Sequence, residues 1–184
     1  SWDIYGQFEG SAGSDFGGSL SLSDDGNIVA IGSTGNGTDR VKIIRYVSPG
    51  VWEIIGDLSG NNNYGSSVSL SSDGTILAVG SDGDNSIGKT EIYQYSAGTW
   101  AQLGADIDGE AAGDKFGVSV SLSSDGSIIA IGANANDNNG SVNSGHVQVY
   151  QYSSGSWSQL GSDIEGVTDA NAYTGYSVSL SSDG

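Results

Sequence analysis

The sequence predicts an all-β fold built from propeller-type, four-stranded antiparallel blades, with about three complete blades flanked by partial terminal ones. Three observations predict it. The octet SVSLSSDG stands at 67–74, 119–126 and 177–184, with the variant SLSLSDDG at 19–26. Its Asp-Gly pairs, at Asp25, Asp73, Asp125 and Asp183, are spaced 48, 52 and 58 apart, and Trp2, Trp52, Trp100 and Trp157 are spaced 50, 48 and 57 apart. The apolar residues between them alternate or run continuously, and no helical period is present.

The third unit shows each element in order. SVSLS (119–123) alternates small and apolar residues, as a half-buried strand does. Ser-Ser-Asp-Gly follows, and the Asp-Gly pair is expected to supply the positive φ angles of a tight hairpin. SIIAIGA (127–133) is nearly continuous in apolar residues, which suits a strand covered on both faces. A polar loop leads into HVQVYQY (146–152), and a Ser-Ser-Gly-Ser turn leads into WSQLG (157–161) as the fourth strand.

Blades therefore fall at 15–62, 63–114 and 115–172, with 1–14 as the fourth strand of a preceding blade plus loop and 173–184 as the first strand of a following one. Serine alternating with Val and Leu lets inner strands crowd near an axis. A stacked β-solenoid is the other architecture considered, but its coils are shorter and lack three hairpin turns per repeat.

FGVSVSLSSDGSIIAIGA (116–133), FGGSLSLSDDGNIVAIGS (16–33) and YGSSVSLSSDGTILAVGS (64–81) resemble the FG-GAP repeat, the blade unit of integrin α-subunit propellers and many extracellular surface proteins. The aromatic-Gly start, Asp-Gly turn and Gly-Ala/Ser end are retained, while the family's closing proline is absent. In the last copy Thr174-Gly175 replaces the aromatic-Gly pair, with Tyr173 one place early. A weaker similarity is to WD repeats, whose terminal Trp-Asp dipeptide is missing. The resemblance implies a propeller on the cell surface or outside the cell. The calcium loop of integrin-type blades does not carry over, because its positions fall on Ser121, Ser123, Asp125 and Ile129, which leaves one carboxylate.

Composition narrows the function. With 22 acidic against 5 basic residues the formal net charge is −17, which repels nucleic acid and anionic membrane surfaces. The chain has no cysteine, so disulfides and thiolate metal sites are excluded. No apolar run is long enough to insert into a bilayer.

The candidate sites are few. Asp106, Asp108, Glu110 and Asp114 in DIDGEAAGD could wrap a calcium ion, and Asp163, Glu165 and Asp169 recur at similar spacing; solvated turn acids are the plainer alternative. His146 is the sole histidine and aligns with Lys89 and Arg40, so the position reads as one that accepts any polar side chain and not as a catalytic base. The basic residues Arg40, Lys42, Arg45 and Lys89 gather on or beside third strands, where cross-strand acids would pair with them. Trp100, Trp157, Tyr95 and Tyr152 could stack on sugar rings, although recurrence at one register favours packing between blades. Sequons at Asn36 and Asn139 are candidate glycosylation sites.

These readings converge on an extracellular, non-enzymatic structural or adhesive module without a cofactor. Its expected partners are itself or neighbouring repeats through the terminal strands, and glycans or other surface proteins. The turn at Asp183-Gly184 is expected to continue, covalently or by assembly, into a strand resembling SIIAIGA. A carbohydrate-binding propeller is the alternative, and a glycan-active hydrolase or lyase a further one.

Overall fold

The structure is a computed structural model and describes residues 8–10, 12–35, 39–83, 86–137, 141–167 and 171–184. Trp2, Asn36, Asn139 and Asp169 lie outside the described residues.

Three antiparallel sheets follow one another along the chain, and no helix occurs among the described residues. The first comprises β1 (Ser19–Leu22), β2 (Ile28–Ser33), β3 (Arg40–Ser48) and β4 (Val51–Ser59) in sequential order. The second comprises β5 (Tyr64–Leu70), β6 (Ile76–Ser81), β7 (Ile87–Ser96) and β8 (Thr99–Gln102), with β9 (Ile107–Ala112) also pairing with β7. The third repeats this with β10 (Phe116–Leu122), β11 (Ile128–Ala133), β12 (His146–Ser153), β13 (Ser156–Gln159) and β14 (Ile164–Glu165), the last pairing with β12.

The expected single fourth strand is thus continuous in blade 1 and split in blades 2 and 3. In β4 a bulge beside Gly56 absorbs the irregularity. Gly104 and Gly161 instead take φ of 82° and 83° and break the strand into two short pieces on the same partner.

The recurring octet now has a reason at every letter. In blade 2, Val68 and Leu70 are buried against blade 1 in a cluster with Ala30, Val41, Ile43, Leu77 and Val79. The intervening serines face the other way, towards blade 3. Ser67 Oγ donates to Gly117 O at 2.8 Å, and Ser69 Oγ accepts from the Leu122 N–H at 3.0 Å. The Ser72 N–H donates to Ser124 O at 2.9 Å. The same three links join blade 1 to blade 2, through Ser19 Oγ to Gly65 O, Leu70 N–H to Ser21 Oγ and Asp24 N–H to Ser72 O. They also join blade 3 to the final segment, through Ser119 Oγ to Gly175 O, Leu180 N–H to Ser121 Oγ and Ser124 N–H to Ser182 O.

Ser71 and Asp73 close the turn. The Ile76 N–H donates to Ser71 Oγ at 2.9 Å, Ser71 Oγ donates to Asp73 Oδ1 at 2.8 Å, and the Thr75 N–H donates to the same carboxylate at 2.9 Å. Only the glycine of each Asp-Gly pair has positive φ (Gly26 70°, Gly74 69°, Gly126 71°), so the aspartate acts through its carboxylate and not, as expected, through its backbone. The bare Cα faces of Gly74, Gly126 and Gly184 rest on Ile28, Ile76 and Ile128 of the preceding blade, leaving no room for a side chain.

A second glycine pair sets blade spacing. Gly17, Gly65, Gly117 and Gly175 all sit at φ of 86° to 88°. This turns the Gly65, Gly117 and Gly175 carbonyls onto Gly32, Gly80 and Gly132 of the blade before, where a Cβ would strike the oxygen. Tyr64 and Phe116, which precede two of these glycines, are fully buried. Such close approach at the inner strands, with sparse contact between the outer strands, fans the sheets radially as propeller blades.

Gly80→Ala should destabilise the fold by about 3 kcal/mol, since its methyl group meets the Gly117 backbone carbonyl, which cannot swing aside, as well as the Ser67 hydroxyl bonded to it. Urea unfolding measures this. Acid should act through the turns. Hydrogen bonds from Ser23 and Asn27 hold Asp25, and those from Ser127 and Ser123 hold Asp125, below the ordinary value of 3.8. Burial works against Asp73, but donors from Thr75 and Ser71 outweigh it and lower it too. A depressed folded pKa contributes stability that is full above 3.8 and lost as the pH falls through the folded value. The Tm gap between the wild type and a D25N/D73N/D125N variant should therefore be constant above about pH 5 and shrink below it, as scanning calorimetry would show.

Candidate functional site

Three regions bear on function: the acidic loop, the aromatic pairs and the open face of blade 1. Repeat-to-repeat geometry positions all three.

The structure disperses the acidic loop. Asp106 accepts from Lys89 Nζ at 3.0 Å and from Gln102 Nε2. Glu110 accepts from Gln148 Nε2 at 3.2 Å in the next blade. Asp114 accepts from Asn136 Nδ2 at 2.7 Å. Asp108 lies opposite Lys89 in the β7–β9 register. Residues 107–112 form a strand, so Asp108 and Glu110 share a face but stand about 7 Å apart along it, and among the described residues no three of these four acids bring carboxylates together at ion-binding distance. Glu165 in β14 lies opposite His146 in register, and Asp163 accepts from Gln159 Nε2.

Cations occupy the sister positions that alignment gave them. Arg40 pairs with Asp57 at 3.0 Å, Arg45 with Glu53 at 2.7 Å, and Lys89 with both Glu91 at 3.1 Å and Asp106 at 3.0 Å. Lys42 lies over the Phe16 ring, 5.6 Å from its centroid. Reached by solvent to differing degrees, these pairs add little to stability. His146 takes the corresponding place in β12, opposite Ala133, as Arg40 lies opposite Ser33 and Lys89 opposite Ser81. Unlike them it is fully buried, with no hydrogen bond to either ring nitrogen. Alignment gave its position but not its isolation, because the sister positions place charged side chains there and pair them.

The aromatic pairs recur with one geometry, Tyr95–Trp100 and Tyr152–Trp157 each having ring centroids 5.2 Å apart. Trp100 fits over Gly56 and Trp157 over Gly104, both in the preceding blade. Trp157 Nε1 also donates to Leu103 O at 2.9 Å. The two tryptophan rings pack against the inter-blade cores.

Blade 1 has no described blade before it. Leu20 and Leu22 are each 58% exposed, whereas their counterparts Val68, Leu70, Val120 and Leu122 are 7–9% exposed. A cleft of about 640 Å³ opens between blades 1 and 2, lined by Asp15, Phe16, Thr34, Asn63 and Asp82 among others. It offers carboxylates and amides but no imidazole, thiol or amine.

Comparison with known families matches residues 103–150 to the FG-GAP repeat. That one stretch is similar to the FG-GAP repeat. The matched stretch begins at the end of one blade's outer strand and runs into the third strand of the next, so the FG-GAP unit straddles the junction that the octet builds. It contains the Phe116-Gly117 start, the Asp125-Gly126 turn and the Gly132-Ala133 end.

No curated protein sequence matches the chain. Among solved structures, Saccharomyces cerevisiae Sqt1 is similar with TM-score 0.60 and 17% identity, covering 86% of this chain and 38% of Sqt1. Kuenenia stuttgartiensis hydrazine synthase is similar with TM-score 0.58 and 16% identity, over 90% of this chain and 53% of that one. A Bacteroides fragilis protein described as a candidate 6-phosphogluconolactonase is similar with TM-score 0.55 and 16% identity, over 83% of this chain and 39% of that one. The chain thus spans roughly two fifths to one half of these proteins, and at such identities the likeness is one of fold.

Trp157→Ala should lower unfolding free energy by about 2 kcal/mol, from lost packing and the lost bond to Leu103 O, while Trp157→Phe should lose about half as much. Equilibrium denaturation of both variants checks this.

Proposed function

We propose that this chain is a non-enzymatic FG-GAP propeller segment, a structural or adhesive module of the extracellular surface, whose blades add head to tail onto further blades of the same kind. The exposure of Leu20 and Leu22 carries this reading, because the same two positions are buried wherever a preceding blade is present. Burying such a pair is worth about 3–5 kcal/mol, and an acidic chain that displays polar loops on a stiff frame suits multivalent surface contact.

The two faces of a blade differ: Val and Leu look backwards, serine hydroxyls look forwards. Growth is therefore directional, a heterologous contact that need not close. Residues 175–182 are held against blade 3 by three hydrogen bonds, from Ser119 Oγ to Gly175 O, from the Leu180 N–H to Ser121 Oγ and from the Ser124 N–H to Ser182 O. The added blade would supply such bonds to the unoccupied side of β1.

The glycan-binding reading has less support, since Trp100, Trp157 and Tyr152 are used in packing against the preceding blade and Tyr95 stacks on Trp100. The enzymatic reading lacks a pairing of acid and base in the cleft beside Asp15 and Asp82.

Sedimentation of the purified chain over a concentration series tests the proposal. Mass-dependent self-association should occur in the wild type and be lost in L20D/L22D. A wild type that stays monomeric at every concentration, or a variant that associates equally, would overturn it.

A further inference from the structure

We propose that Glu110, His146 and Asp163 form a binding site for a divalent transition-metal ion of the zinc class, clamping blade 2 to blade 3. One donor atom from each residue lies within 4.8 Å of the others, and among the described residues this is the only group of three potential ligands so gathered.

The imidazole is the observation that points to a ligand. His146 is 1% exposed, yet neither ring nitrogen has a hydrogen-bond partner. Its Nδ1 is 3.9 Å from Asp163 Oδ2, too far for a hydrogen bond. A buried polar group without a partner forfeits about 1–3 kcal/mol, and a Lewis acid at this point supplies the missing partner.

The repeat supplies a second argument. At the sister positions a permanent cation meets the equivalent acid, Arg40 with Asp57 and Lys89 with Asp106, each at 3.0 Å. Blade 3 replaces that cation with an imidazole, and a bound dication restores the positive charge beside Asp163. The other carboxylate is specific to the same junction. Four residues beyond Asp57, Asp106 and Asp163 the chain has Asn61, Glu110 and Val167, so a carboxylate is present only where the histidine of the next blade faces it.

The carboxylates are oriented by outer partners, as those of metal sites are. Gln148 Nε2 donates to Glu110 Oε1 at 3.2 Å, and Tyr150 Oη donates to Gln148 Oε1 at 2.8 Å, which fixes the amide. Gln159 Nε2 donates to Asp163 Oδ1, leaving Oδ2 turned towards the imidazole. Glu110 is exposed and the Asp163 side chain 25% exposed, so an ion enters from the surface with His146 at the floor.

One nitrogen and two carboxylate oxygens match the preferences of zinc and its first-row neighbours, with a water at the fourth position. Calcium, which takes six to eight oxygens, is excluded by the imidazole and the low ligand count. Bonds of about 2.0–2.2 Å would draw the donors to roughly 3.5 Å apart, a small side-chain adjustment.

The test is calorimetric titration of ZnCl2 into untagged protein stripped with chelator, paired with thermal melting. One saturable Zn2+ per chain and a raised Tm are expected, with CaCl2 giving neither. Glu110→Gln, a surface change, should weaken binding at least ten-fold. His146→Lys installs the sister-blade residue, so it should remain folded and lose zinc binding. The chain has one histidine and no cysteine, so a zinc absorption-edge spectrum should show a single imidazole and otherwise oxygen. Absence of saturable zinc binding in the wild type, or zinc binding that survives His146→Lys, would overturn the assignment.

Discussion

The inner edge of each sheet is the constraint on which the rest of the molecule depends. An innermost strand exposes a row of backbone donors and acceptors on its unpaired side, and unpaired edges invite aggregation. Three blades must also converge there, so no large side chain can cover the edge. Serine resolves both demands at once. Ser21 and Ser69 accept from the Leu70 and Leu122 amides of the next blade, and Ser19 and Ser67 donate to its Gly65 and Gly117 carbonyls. A hydroxyl satisfies the edge while occupying little more than a methyl group. Each such bond is worth only about 1 kcal/mol net, but a bulkier residue would force the sheets apart and lose the Val–Leu core as well.

Glycine is the other half of that solution. The carbonyls that serine hydroxyls reach are turned towards them by the left-handed glycines Gly65, Gly117 and Gly175, the counterparts of Gly17, and they arrive against the bare Cα of Gly32, Gly80 and Gly132. This explains why Thr174-Gly175 can stand in for an aromatic-Gly pair. Gly175 keeps φ at 86° and still receives the Ser119 hydroxyl, whereas the aromatic, buried against Gly60 as Tyr64 and against Gly109 as Phe116, is a separate requirement. The essential member of the pair is the glycine, because it is the backbone conformation that the neighbouring blade reads.

Most of this frame was legible in the sequence, because strict repetition makes each copy a check on the others. The octet, the apolar second strand and the third-strand register emerge from alignment alone; Arg40, Lys89 and His146 do occupy equivalent places. What escaped depends on contacts between units. Asp25, Asp73 and Asp125 look like positive-φ residues in a two-residue hairpin, but a serine hydroxyl two positions earlier engages each carboxylate and alters the turn. The division of the fourth strand turns on single glycines whose effect differs between blades. The four acids of DIDGEAAGD look like one cluster when read linearly, but an extended backbone spreads them out, with Asp106, Glu110 and Asp114 drawn to Lys89, Gln148 and Asn136.

Repetition also shows where to look for chemistry. Residues that serve the frame recur, so Ser, Gly, Val, Leu and Trp positions that match in every blade explain each other without a ligand. Departures carry different information. A histidine replacing Arg or Lys in one blade could be neutral drift, and a glutamate replacing Asn or Val in one loop could be as well. Those two departures belong to different blades and lie 36 positions apart in the chain, between Glu110 and His146. The fold nevertheless brings them to a single point, beside an aspartate that every blade retains. Nothing in blade-to-blade packing calls for that coincidence, since the junction between blades 1 and 2 closes with the same serine and glycine contacts and has neither residue. The frame explains the aspartate; the frame does not explain a buried imidazole left without a partner.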